Sequence, residues 1–551
     1  MTARGWIAAL ALASTATLVG CGGDDGAAGG DGGTGPDAEA CSNEGVATCD
    51  GDLLSRCTGG QLITEDCGAQ LADCVDGAGG AACVDQCVEA GVTADGSCVT
   101  GGIERCVEQG GHHRVVTEAC GVGSVCSEPT DGPAECVGDP CADVGPQGRC
   151  DGDVLTRCDA GGSTETDCGA SGQVCAYAGD ATGYACVAPA GAFRVSGTIR
   201  YEDRPPQTNG SLGAIVQAPV RGAVVSVIAD QGNAVLATGV VADDGTYTLH
   251  YDTTAGAMVH VMVSAQSTLA IRPVRVLRTN TAVHGFGGAS FAAAASVTQD
   301  VLVTDASGTS EAFNILDQMI MGMDAIRNTL GDATPTALSA RWTRGSNNGT
   351  YYSNNSLYLL GASSDDDGYD DTVILHEFGH FVEDSEGRSD NPGGSHNGSA
   401  DDPNLAWSEG FSTYWAMVTR GAPWYMDSNS GGGWGYNADT DVTQTPQPNG
   451  PMNQDVSEDM ITEDLWDIGD APSGDDDPMT TGNHGDVLRI EPLYLRTATL
   501  RNVGEAGVDL VDFLDGWFLL HGLTSCDGVR SVVTGTRSFP YDYAGPGGSC
   551  P

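Results

Sequence analysis

Asp370-Asp371-Thr372-Val373-Ile374-Leu375-His376-Glu377-Phe378-Gly379-His380-Phe381-Val382-Glu383-Asp384 is the stretch on which the reading of this chain turns. Val373, Ile374, Phe378, Phe381 and Val382 recur at the spacing of one helix face, and Asp370 or Asp371 can cap the start. On that helix His376 and His380 are four residues apart. Both imidazoles therefore leave the same side, at a separation suited to one Zn²⁺. Glu377 lies beside them, placed to take a proton from water that such an ion activates. Gly379 carries a helix-propensity cost, and its bare Cα lets another backbone approach.

A catalytic zinc takes three protein ligands and keeps one position open. Candidates for the third are Glu409, His396 and nearby Asp residues. A metzincin site is excluded, because it would need Gly three and His six residues after His380, where Glu383 and Glu386 stand. Glu409 lies in Ala406-Trp-Ser-Glu-Gly-Phe-Ser-Thr-Tyr-Trp-Ala416, a second apolar stretch predicted as helix. The two segments together resemble the metal motifs of gluzincin metallopeptidases, the clan of thermolysin and the aminopeptidase-N enzymes. That resemblance implies an α+β zincin-like metallopeptidase domain in which Glu409 completes a His₂Glu zinc site and Glu377 is the general base of peptide hydrolysis.

Two departures from the clan stand out. The interval from His380 to Glu409 is longer than usual, with the excess in the Gly-, Asn-, Asp- and Ser-rich run 385–404. Thr413 stands where thermolysin-like enzymes carry an Asp that orients a histidine. Upstream, Glu311 to Leu330 reads as an amphipathic helix, and Ala340 to Arg344 and Ser356 to Leu360 read as strands. In the enzymes resembled, an edge strand here holds extended peptide. An additional donor to the oxyanion is expected, with His484 and Tyr414 as catalytic candidates against a reading of each as a surface or packed residue. His521 reads as packing. Asp365-Asp366-Asp367-Gly368 and Asp475-Asp476-Asp477 are candidates for Ca²⁺ or solvated loops, and neither has EF-hand spacing.

From Phe193 the pattern is period two. Phe193 to Tyr201, Ala223 to Ala229, Val235 to Val241, Gly245 to Tyr251 and Met258 to Ser264 read as strands, with Asp243-Asp244-Gly245 a hairpin turn. They predict an antiparallel β-sandwich over 192–268. Gly222-Ala-Val-Val-Ser-Val227 and Asp244-Gly-Thr-Tyr-Thr-Leu249 resemble a carboxypeptidase regulatory-like domain, which implies a structural or adhesive module. Residues 270–551 are then the metallopeptidase-like domain.

Before these lie three sets of six cysteines, in 41–86, 87–140 and 141–190. The first is spaced 8, 8, 10, 7 and 9, and the third 9, 8, 10, 7 and 11. Cys49-Asp-Gly-Asp-Leu-Leu-Ser-Arg-Cys57 returns as Cys150-Asp-Gly-Asp-Val-Leu-Thr-Arg-Cys158. Units of about 45 residues cannot build a sufficient core, so disulfides in an oxidising compartment must supply stability. Six cysteines allow 15 pairings, and spacing does not choose among them. Paired Cys-x2-Cys zinc knuckles do not occur. His112-His113 reads as an exposed turn, and Cys526 with Cys550 as a C-terminal staple.

Residues 1–20 read as a secretory signal with Arg4 ahead of an apolar stretch too short to span a membrane. Leu18-Val19-Gly20-Cys21 resembles the lipobox of bacterial lipoproteins, which implies lipidation of Cys21. The Gly- and Asp-rich run 21–40 is a flexible tether. The whole is expected to be a multidomain, lipid-anchored protein of the bacterial cell envelope, at the outer membrane or cell surface.

With 75 acidic against 23 basic residues, all Arg, the net charge of −52 argues against a nucleic-acid groove. The leading expectation is a zinc peptidase acting on peptide or protein. The alternatives are a non-catalytic adhesion or binding lipoprotein and a metal-dependent hydrolase of another bond, such as one in cell-wall peptides.

Overall fold

A computed structural model of the chain describes residues 162–332, 334–394, 402–440, 456–470, 484–498, 500, 507–521 and 526–537, with shorter stretches between 47 and 159. The candidate signal, Cys21, the tether, His396, Asp475–Asp477 and Cys550 lie outside the described residues. The chain is multidomain and mostly sheet, with several disulfides and fewer helices.

Each cysteine unit contributes a three-stranded antiparallel sheet and then a two-stranded hairpin. In the third unit Cys141–Cys158, Cys150–Cys175 and Cys168–Cys186 pair first with third, second with fifth and fourth with sixth. The middle unit repeats the first two of these with Cys87–Cys106 and Cys98–Cys126. The cross-links replace the core that so few apolar residues cannot form. Among the described residues, Cys150, Leu155, Cys168, Cys175 and Tyr184 of the third unit form a small buried cluster, and they enlist Ala242 from the next region. His112 and His113 open the strand His112–Ala119 rather than a turn.

Two five-stranded sheets follow. Phe193–Asp203 lies between Val216–Pro219 and Thr246–Tyr251, while Val224–Ala229 lies between Val235–Val240 and Met258–Ser264. Alternate residues, including Val195, Ile199, Val225, Val227, Val259 and Val261, enter one buried cluster. The boundary expected at 268–270 is not where the strand pairing divides. Gly285–Gly287 and Phe291–Ala292 return to pair with Met258–Ser264, and Ser296–Thr298 and Val301–Val303 run parallel to Phe193–Asp203. Val274–Leu277, between them, leaves for the following sheet. Strands this short have no periodicity from which a distant partner could be read.

That following sheet runs in the order Val274–Leu277, Leu338–Arg341, Ser356–Tyr358, Tyr351–Tyr352. The first three strands are parallel and the edge strand Tyr351–Tyr352 is antiparallel. Helices α1 (Ser310–Ala325), α2 (Asp371–Ser385), α3 (Pro403–Arg420), α4 (Glu458–Gly469), α5 (His484–Ile490), α6 (Leu510–His521) and α7 (Cys526–Arg530) complete this part. Cys526 is disulfide-bonded. Among the described residues, no helix is long and apolar enough to cross a membrane. One hydrophobic cluster runs from Val195 to Val533, so the sheets and helices share a core. Buried Arg272 ties them further, donating to Asp243 in the sheet region and Asp324 of α1.

Candidate metal centre

Helix α2 is buried along nearly its whole length, from Asp371 to Glu383. Its start is not capped by Asp370 or Asp371, contrary to the expectation from sequence. Asp370 accepts from the backbone and hydroxyl of Ser428, and Asp371 accepts from Asn314 and pairs with Arg420. These carboxylates moor α2 to neighbouring segments instead. Helix α3 does have a side-chain cap, with Asp402 accepting from the Asn404 and Leu405 amides ahead of Pro403.

α2 and α3 cross in close contact at Gly379. A Cβ there would lie 2.5 Å from Cα of Ser412, so only glycine allows this approach. The consequence is chemical. The structure brings His376, His380 and Glu409 together, with one ligand atom from each lying within 4.8 Å of the others. Nε2 of His376 is 3.1 Å and Nε2 of His380 3.3 Å from the same Glu409 oxygen, Oε2. Ligands held tetrahedrally at zinc's usual bond lengths stand about 3.4 Å apart, so this donor set fits a small divalent ion.

The atoms facing away from that point are tied to protein. Nδ1 of His376 meets Thr413 Oγ1 at 2.9 Å. Nδ1 of His380 meets Ser412 Oγ at 2.9 Å, Ser408 Oγ at 3.1 Å and Glu383 Oε2 at 3.3 Å. Asn391 donates to the other Glu409 oxygen at 3.3 Å. Fixing Nδ1 in this way leaves Nε2 of each ring for a ligand bond. Thr413 therefore holds His376 with a hydroxyl where a carboxylate was the expected support. Its place one helical turn after Glu409 was the sequence signal for that role.

Electrostatics favour the charged forms of His380 and Glu409. Burial opposes the cationic form of His380, but the Glu409 carboxylate outweighs it and holds the imidazole well above its ordinary range. Burial likewise raises Glu409, but the two imidazoles, His380 foremost, hold it well below the usual carboxylate range. Glu409 is thus held ionised beside the two imidazoles. Glu383 is pushed up, chiefly by complete burial. Glu377, next to His376 on α2, is 6% exposed.

Tyr414 and His484 are not part of this constellation. Five residues turn a helix by about 500°, which leaves Tyr414 about 140° round α3 from Glu409. Its hydroxyl meets Nδ1 of His484 at 2.9 Å, and the His484 ring packs on Trp466 with centroids 4.4 Å apart. The two residues join α3, α4 and α5. Tyr425 is the aromatic residue that sequence reasoning missed, its ring edge-on to His376 at 5.9 Å between centroids. It lies on Trp424–Asp427, which pairs with Trp434–Asn437 across a Gly-rich turn. That turn was the available sequence signal.

Two of the candidate calcium carboxylates, Asp366 and Asp367, serve protein donors instead. Asp366 accepts from Trp342 Nε1 and the Gly368 amide, both at 3.0 Å. Asp367 accepts from Thr350 and the Leu360 amide. Among the described residues, His376, His380 and Glu409 form the one group of three or more His, Cys, Asp or Glu side chains that could hold a metal.

Comparison with known proteins gives a family match across this region. Residues 328–487 match the family described as the Mycolysin C-terminal domain. The match points to a thermolysin-family peptidase relationship. No curated protein matches the chain. Among solved structures, a 9R-lipoxygenase from Cyanothece PCC8801 matches at 11% identity over 24% of this chain and 23% of that one, with a TM-score of 0.13. So low a score carries no argument about the fold.

Proposed function

We propose that this chain is a zinc-dependent peptidase of gluzincin type, held at the cell envelope by a lipid on Cys21. The observation that carries the reading is the convergence of two imidazole Nε2 atoms and one carboxylate oxygen beside Glu377. His376, His380 and Glu409 would hold the metal. Zinc bound there would supply a Lewis acid that lowers the pKa of water and polarises a carbonyl. Glu377 takes the proton from the attacking water and passes it to the leaving amine. Thr413, Ser412, Ser408 and Glu383 keep both rings oriented.

The four-stranded sheet supports a zincin-like arrangement. Its antiparallel edge, Tyr351–Tyr352, is fastened to α2 by a 2.6 Å hydrogen bond from Tyr352 to Asp384, and the Tyr352 ring meets Phe381 edge-on. This strand, the outer one of the sheet among the described residues, offers main-chain groups to an extended peptide next to the metal helix. The preceding sheets fit a carboxypeptidase regulatory-like sandwich, and the disulfide units fit an extracytoplasmic stalk.

A surface adhesin with an inert peptidase-like domain is the second reading. Glu377 argues against it, since a purely structural metal has no use for a base there.

Replacing Glu377 with Gln keeps the size of the side chain and removes the base. The expected result is loss of peptide hydrolysis by about 10³-fold with zinc content retained. Equal hydrolysis of a mixed-peptide library by wild type and variant, or hydrolysis untouched by chelator, defeats the proposal.

A further inference from the structure

The Trp424–Asp427 and Trp434–Asn437 hairpin is fixed to the metal helix on one side. Thr372, in the first turn of α2, bonds both the amide and carbonyl of Met426, and Asp370 accepts twice from Ser428. On its other side the hairpin meets a loop of the preceding sheet region. Gly210 and Gly433 both have left-handed backbones, φ 77° and 71°, and pack main chain against main chain. A Cβ on Gly210 would collide with the Trp434 amide, and one on Gly433 with the Gly210 carbonyl.

The loop is rigid in its own right. Gln207 and Ser211, Gly210 and Gln207, and Gly213 and Pro205 are each joined by a 2.8 Å backbone hydrogen bond. From Gly210 the packing continues through Trp434 to Tyr425, with ring centroids 5.5 Å apart, and from Tyr425 to His376. A backbone brace in one region thus ends on a metal ligand in another.

We propose that the loop 205–213 is a positioning element of the metal site, bracing the hairpin so that Tyr425 stays against the His376 imidazole. The inference rests on the peptidase reading for its kinetic consequence, but not for its structural one. Gly210, Gly433 and Trp434 are positioning residues, acting only through Tyr425. The sheet region is then part of the enzyme rather than an appended module.

The test uses the full chain loaded with Co²⁺ in place of zinc, as wild type, Gly210→Ala, Trp434→Ala and Trp434→Phe. Trp434 is 44% exposed, so its replacement leaves the core intact if Gly210→Ala should fail to fold. Gly210→Ala and Trp434→Ala should shift the visible Co²⁺ absorption bands at unchanged metal content. They should also lower kcat about 10-fold with KM changed less than about 2-fold. Trp434→Phe, which keeps an aromatic ring against Tyr425, should restore both. Wild-type spectra and kcat in Trp434→Ala overturn the brace. A chain that hydrolyses nothing yet shows the spectral shift refutes the peptidase reading alone, and an active chain with no shift refutes the brace alone.

Discussion

Helix α3 meets histidine on two of its faces, and the two meetings differ in kind. On the Glu409 face, His376 and His380 turn Nε2 toward one carboxylate oxygen while hydroxyls and Glu383 hold Nδ1. On the Tyr414 face, His484 meets a phenol and lies over Trp466. The first pair is surrounded by acid, and the Glu409 carboxylate raises His380 well above its ordinary range. The second is surrounded by aromatic carbon, and burial lowers His484 to about 4. What separates a ligand from a packing residue is what the two ring nitrogens face, not burial.

The largest expected effect concerns the crossing that creates the first face. Gly379→Ala forces a methyl onto Ser412 and should cost about 3 kcal/mol of stability in denaturant titration. A cost below about 0.5 kcal/mol would mean that the helices do not approach so closely. Next, Thr413→Val removes the hydroxyl behind His376 at nearly constant volume. Zinc affinity, measured by competition with a chromogenic chelator, should fall 10- to 100-fold. An unchanged affinity would place His376's support elsewhere.

The opposite face gives a pH signature. His484 has a folded pKa of about 4 against an ordinary 6.5, so folding holds it neutral. Its contribution is full above pH 6.5 and is lost as pH falls toward 4, amounting to on the order of 2 kcal/mol after allowance for partial solvent access. Melting temperature should therefore drop more between pH 7 and pH 4.5 in wild type than in His484→Phe. Parallel curves would contradict this.

The smallest effect sharpens the contrast most. Tyr414→Phe should cost about 1 kcal/mol through the bond lost to His484 and leave kcat unchanged. A fall in kcat of more than about 10-fold would return Tyr414 to the chemistry.

The sequence made the metal face readable because its chemistry is local. His376, Glu377 and His380 sit within one helical turn, and Glu409 stands in a motif with a familiar form. Thr413 was a visible departure whose meaning was not, since a hydroxyl 2.9 Å from Nδ1 can do the work of a carboxylate. Closeness in sequence to Glu409 did not show that Tyr414 lies on another side of the helix, against His484. Tyr425 was hidden because nothing in Trp-Tyr-Met-Asp says which ring it will face. The sheets were legible where strands alternate over six or more residues. They were not at Gly285–Gly287 or Ser296–Thr298, whose three residues fix no partner. Disulfide pairing was likewise beyond spacing, because six cysteines close many loops of similar entropy.

The most direct measurement of the central claim is metal content by mass spectrometry of the full chain, as wild type, His380→Ala and Glu409→Ala. One zinc per wild-type chain, falling to below about a tenth in either variant, is the result that three converging ligands require. Zinc undiminished in both variants, or a folded wild-type chain that takes up none from solution, would contradict the account.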